Sequence, residues 1–98
     1  MRVEYSKRAI RDLKQVATYY HETAGEKVAE DISCRIAEVI ERVRRTPFSA
    51  PALAQRPMLR VVLLIKYPYK IFYRVKSDVI LIYHIRHTSR RPWTGEGA

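Results

Sequence analysis

Residues 58–87 read MLRVVLLIKYPYKIFYRVKSDVILIYHIRH. Three runs in that stretch, 58–66, 69–76 and 79–87, are dominated by β-branched, aromatic and leucine residues, which favour extended backbone. Tyr67-Pro68 separates the first two and Ser77-Asp78 the second two. Connections of two residues allow only antiparallel neighbours, because a parallel crossover consumes a dozen residues or more. The second half of the chain is therefore expected to form an antiparallel meander.

On the N-terminal side, residues 46–57 carry Pro47, Pro51 and Pro57 with little periodicity and are expected to be a loop. Before it, Val28, Ile32, Ile36, Val39, Ile40 and Val43 recur at helical spacing until Thr46-Pro47 stops the helix. Ala9, Leu13, Val16, Ala17 and Tyr20 define an earlier amphipathic helix over about residues 6–22, with Ser6 as its cap. The interval Thr23-Ala24-Gly25-Glu26 fits a capping box, so the second helix is expected to start there and to run antiparallel to the first. Val3 and Tyr5 alternate with Arg2 and Glu4, which adds a short first strand. The expected fold class is α+β, in the order β-α-α-β-β-β, with an antiparallel sheet packed on a helical hairpin. The 98 residues form a single domain in this reading, and residues 88–98 are a polar tail expected to fray.

Strict alternation divides the three long strands into two faces. One set, Leu59, Val61, Leu63, Ile65, Tyr69, Ile71, Tyr73, Val75, Val79, Leu81, Tyr83 and Ile85, holds no charge and is expected under the helices. The other mixes Arg60, Lys70, Arg74 and Arg86 with Met58, Val62, Leu64, Phe72, Ile80 and Ile82. An open face that greasy is uncommon on a soluble monomer, so it is expected to bind an acidic, amphipathic segment of another chain. The alternative is that the tail or the proline loop folds over it.

Charge supports an anionic partner. The chain has 19 Lys and Arg against 10 Asp and Glu, and from residue 46 onward nine bases face only Asp78 and Glu96. The only cysteine, Cys34, allows no intrachain disulfide, and the charged N-terminus lacks the apolar core of a signal peptide. No apolar run approaches the ~20 residues of a membrane span. A cytoplasmic protein without membrane contact is expected.

The string Tyr67-Pro68-Tyr69-Lys70-Ile71-Phe72-Tyr73-Arg74-Val75, followed by Ile80-Leu81-Ile82-Tyr83-His84-Ile85-Arg86-His87 and Ser89-Arg90-Arg91, resembles the C-terminal half of the RelE/ParE superfamily of bacterial toxins. Ser6, Ala9, Asp12-Leu13 and Tyr20 in the first helix agree, so the resemblance covers nearly the whole chain. It implies the toxin of a type II toxin–antitoxin pair, associated with growth inhibition and plasmid stabilisation and held inactive by a cognate antitoxin. ParE-like members are reported to poison DNA gyrase; RelE-like members cut mRNA on the ribosome. The cutters resemble this chain at Lys70, where they carry an arginine, but also have an arginine just past the last strand and often a C-terminal tyrosine. Here Thr88 and Trp93 stand in that region. The histidine-then-arginine pattern of residues 87–91 is similar to ParE, so gyrase inhibition without catalysis is expected. The alternative is a metal-independent, ribosome-dependent endoribonuclease.

No residue is assigned firmly to catalysis. For a nuclease the candidates are Lys70, Arg74, His84, Arg86 and His87, because phosphodiester cleavage needs a base and cations on the phosphate. Antitoxin or target binding is expected at Arg60, Lys70, Phe72, Arg74, Ile82, His84, Arg86, Arg90, Arg91 and Trp93. His84 and His87, three apart on a strand, point to opposite faces, so no metal site is expected. No cofactor is expected either. Cys34 lies off the apolar stripe and is expected to be a small filler.

Overall fold

The computed structural model describes residues 1–89 together with Trp93 and Gly95. Its elements are β1 (Arg2–Tyr5), α1 (Lys7–Ala24), α2 (Glu26–Arg45), β2 (Leu59–Leu63), β3 (Tyr69–Lys76) and β4 (Val79–His87). The sheet order is β1-β4-β3-β2. Pairings β2–β3 and β3–β4 are antiparallel, as the short connections require, and Ser77 takes a left-handed φ of +53° in the second turn. β1 lies parallel to β4, so the sheet is mixed where the sequence suggested an antiparallel one. The long excursion through both helices and the meander leaves room for that parallel return.

The helix limits follow from local chemistry. Ser6 Oγ accepts the Ala9 amide at 2.9 Å and donates to the Tyr83 carbonyl at 2.8 Å, which fixes the start of α1 beside β4. The expected capping box at Thr23 is not formed. α1 runs through Thr23, whose hydroxyl donates to the Tyr19 carbonyl, and the break falls at Gly25 with φ +91°. That backbone region is strained for any residue with a Cβ. α2 then buries Ala29, Ile32, Ile36, Val39, Ile40 and Val43. Val28, expected on the stripe, is half-buried at its margin.

A bulge decides which face of β4 meets the helices. Phe72 pairs with His84 but Tyr73 pairs with Ile82, so Tyr83 is an extra residue on β4. Alternation therefore slips by one there. Ile80 and Ile82 are fully buried in the helix-side core with Ile71, Tyr73 and Ile85, whereas Leu81 and Tyr83 belong to the opposite face. Ile82, expected at an exposed binding face, is thus a core residue.

β2 is also inverted relative to the alternation argument. Arg60 pairs with Tyr73 and Val62 with Ile71, so both lie on the helix side, and Leu59 and Val61 lie on the other. Arg60 is accommodated because its Nη1 donates to the carbonyls of Ala50 at 2.6 Å and Phe48 at 3.3 Å and its guanidinium lies 5.1 Å from the Phe48 ring. It ties down the proline loop and is not part of the opposite cationic face. Tyr73, fully buried, likewise donates its hydroxyl to the Pro47 carbonyl at 2.7 Å, and burial pushes its pKa up. β2 ends at Leu63 instead of Lys66, since the chain turns at Leu64, whose amide donates to the Tyr69 carbonyl.

The turn between β2 and β3 is docked to α2. Tyr67 donates to Asp31 at 2.6 Å and Lys66 bridges the same oxygen at 2.9 Å, which together hold the Asp31 carboxyl below its ordinary pKa. A depressed carboxylate stabilises the fold above its unfolded pKa and loses that contribution as pH falls through the folded one. Exchange of the Leu64 and Tyr69 amides, which donate within this turn, is accordingly expected to accelerate selectively below the usual carboxylate range. An Asp31→Asn variant should show that faster exchange already at neutral pH; equal protection in the variant would refute the docking role.

Candidate functional site

The sheet face turned away from the helices carries Leu59 and Val61 from β2, Lys70, Phe72 and Arg74 from β3, and Tyr83, His84 and Arg86 from β4. Lys70 and Arg86 are directly opposed across the β3–β4 ladder. Arg74 lies on the same face, four residues along β3, or about 13 Å away at strand spacing. The Nε atom of Arg74 is buried and finds no hydrogen-bond partner among the described residues. Three expected cations thus share one face.

The oily part of that face is covered by the chain's own C-terminal segment. Trp93 is 8% exposed and meets Phe72 edge-on at 4.8 Å and His84 edge-on at 5.1 Å. The Arg8 guanidinium lies 5.9 Å from the Trp93 ring, a cation–π contact from α1. Gly95, with φ +97°, packs so closely that a Cβ there would stand 2.6 Å from Arg56 Cγ. Phe72 is consequently 3% exposed. The apolar patch expected to await a partner is thus dismantled: Val62, Leu64, Ile80 and Ile82 pack in the helix-side core, Phe72 is covered by Trp93, and Met58 stays exposed, while the cations lie around the covered ring. Arg90 and Arg91 lie outside the described residues, as does the rest of the tail on which fraying was expected.

His84 is 6% exposed and its Nδ1 lies 2.6 Å from Asp12 Oδ2 in α1. The same oxygen accepts the Ile85 amide at 2.9 Å. β1 pairs with β4 only as far as Ile82, so Asp12 takes over the strand edge just beyond it. Arg86 Nη1 stands 3.4 Å from His84 Nε2. A guanidinium can only donate, so Nε2 is the acceptor and the His84 proton sits on Nδ1, facing Asp12. Asp12 was legible only as part of the first-helix pattern; its partner lies 72 residues away.

His87 points to the other face, beside Tyr69, at 5.2 Å between rings. Its Nδ1 accepts the Ser89 amide at 3.1 Å and lies 2.7 Å from Ser89 Oγ. That occupied lone pair leaves Nε2–H as a donor, which suits binding better than proton abstraction. Arg86, His87, Ser89, Gln15, Tyr19 and Tyr69 border a cleft of about 480 Å³ between α1 and the end of β4. Cys34 is exposed on α2. Among the described residues no group of His, Cys, Asp and Glu is placed to hold a metal, and no helix is long and apolar enough to cross a membrane.

A two-helix hairpin on a four-stranded mixed sheet, with cations on the sheet's far side, defines a small α+β protein of the RelE/ParE-like fold. A family model described as the ParE toxin of the type II toxin–antitoxin system parDE matches residues 3–92, and the chain belongs to that family. Solved structures agree in fold. A chain of the chromosomal ParDE system from P. aeruginosa superposes with a TM-score of 0.80 at 22% identity, covering 91% of this chain and 97% of that one. The YoeB/ParE toxin from Agrobacterium tumefaciens gives 0.62 at 16% identity, over 89% and 98% of the two chains. The isolated E. coli RelE toxin gives 0.60 at 18% identity, over 92% and 86%. No curated protein sequence matches the chain. Membership of a toxin–antitoxin family implies a cognate antitoxin as partner.

Proposed function

We propose that this toxin acts in the cytoplasm by binding DNA gyrase and trapping its cleaved DNA complex, and that its antitoxin masks the cationic sheet face. Lys70, Arg74 and Arg86, with Arg90 and Arg91 beyond the last strand, are the residues proposed to meet target or antitoxin; Phe72 and His84, covered by Trp93, pack between them. The observation that carries a non-catalytic reading is the state of the two histidines. His84 is sealed under Trp93 and committed to Asp12 and Arg86, and His87 has its Nδ1 lone pair engaged by Ser89. Neither offers a free base to a ribose hydroxyl, and a general base must reach the proton that it removes.

A second reading has its own support. The Lys70–Arg86 cross-strand pair sets two cations side by side, a spacing suited to a phosphate in a ribosome-dependent endonuclease. One pair of assays separates them. Purified toxin incubated with gyrase, ATP and supercoiled plasmid is expected to trap cleaved DNA and stop supercoiling, and Arg86→Ala is expected to weaken both about tenfold or more. Neither effect in the wild type, with codon-phased cuts in a translated message, would overturn the gyrase reading and establish the nuclease.

A further inference from the structure

Asp12 and His84 are both buried, and neither belongs to the half-buried row of Lys70, Arg74 and Arg86. Their geometry forms a directional chain: Asp12 Oδ2 to His84 Nδ1 at 2.6 Å, then His84 Nε2 to Arg86 Nη1 at 3.4 Å. Each link fixes the next. A carboxylate only accepts, so it demands the proton on Nδ1; a neutral imidazole protonated there presents a lone pair at Nε2; a guanidinium only donates, so it is received there. With the opposite tautomer, Nε2–H would confront an Arg86 N–H, donor against donor. The ring is also wedged between Phe72, stacked at 6.3 Å, and Trp93, which limits its rotation.

We propose that Asp12 is a positioning residue: through the His84 tautomer it orients Arg86 on the cationic face. This rests on the proposed role of that face in target binding. The backbone link from the Ile85 amide to the same Asp12 oxygen explains why the carboxylate itself is well placed. An asparagine oxygen has two lone pairs and can accept both bonds, so Asp12→Asn is expected to keep the tautomer and the Arg86 geometry. Asp12→Ala removes the acceptor and frees the ring to place its proton on Nε2.

Two substitutions at His84 divide the chain at its middle. An asparagine reproduces Nδ1–H but offers nothing to Arg86; a glutamine places an amide oxygen near the Nε2 position. His84→Asn is therefore expected to weaken gyrase binding roughly tenfold, as Arg86→Gln does, with no further loss in the double variant, while His84→Gln recovers most of the loss. Nitrogen-15 spectra of the full-length toxin should show His84 protonated on Nδ1 in the wild type and Asp12→Asn, with an Nε2–H signal in Asp12→Ala. The Arg86 Nε–H order parameter should fall in His84→Asn and Asp12→Ala. An Nε2–H tautomer in the wild type, or unchanged Arg86 order in a folded His84→Asn protein, overturns the proposal. Should gyrase bind neither wild type nor variants, the target reading fails by itself, and the tautomer and arginine order still decide the positioning role.

Discussion

Ile82→Ala is expected to destabilise the toxin by about 4 kcal/mol, toward the upper part of the range for truncating a buried isoleucine. Ile82 is fully buried, pairs with Tyr73 and packs in the core between sheet and helices, so the void has few ways to collapse. For a domain near 100 residues that corresponds to a melting temperature lower by roughly 16–30 °C. Its neighbour Leu81 provides the control. Leu81 is half-buried on the opposite face beside Arg74, and Leu81→Ala is expected to cost no more than about 1 kcal/mol. Thermal and urea denaturation of the two variants reads the bulge directly. If Leu81→Ala were the more damaging of the two, the phase slip at Tyr83 would be absent from the folded protein.

Trp93→Ala carries the second large effect. The indole covers Phe72 and His84 and receives Arg8, so its loss removes a lid from the second apolar cluster, which also includes Leu59. Truncating a largely buried tryptophan costs about 3 kcal/mol or more, partly through lost area and partly through the edge-to-face ring contacts. A melting temperature lower by roughly 12–24 °C is expected. Leu59 and Phe72 then face solvent together, and an apolar patch of that kind promotes self-association. Light scattering should report concentration-dependent association of Trp93→Ala that the wild type lacks. A variant with unchanged melting temperature and no association would show that the segment beyond β4 contributes nothing to the fold.

These two expectations have different relations to sequence. The apolar stripes of α1 and α2 are legible because helical spacing is a local property, and the two-residue interruptions at Tyr67-Pro68 and Ser77-Asp78 constrain strand direction through covalent reach alone. The family resemblance likewise resides in contiguous strings of residues. Charge type along each strand was a weaker guide. In β2 the lone charge of Arg60 suggested an outward face, yet its long stem lets the guanidinium reach the loop carbonyls from the helix side. In β4, Ile80, Ile82 and Ile85 stand two and then three apart, a break in alternation visible in hindsight, but apolar residues on both faces left the phase undefined.

The chain by itself thus determined the order of its elements, the antiparallel run of the last three strands, the approximate limits of the elements, the cationic second half and the toxin family, whereas the parallel pairing of β1 with β4 was not legible in it. Tertiary structure alone decided which side of β2 and of the first half of β4 is core, because register is a property of the paired ladder and a single unpaired residue at Tyr83 inverts it. It also decided the union of Asp12 with His84 and of Trp93 with Phe72. Those contacts join residues far apart in sequence, and their energy comes from burial and hydrogen bonding that exist only once helix, sheet and tail have packed together.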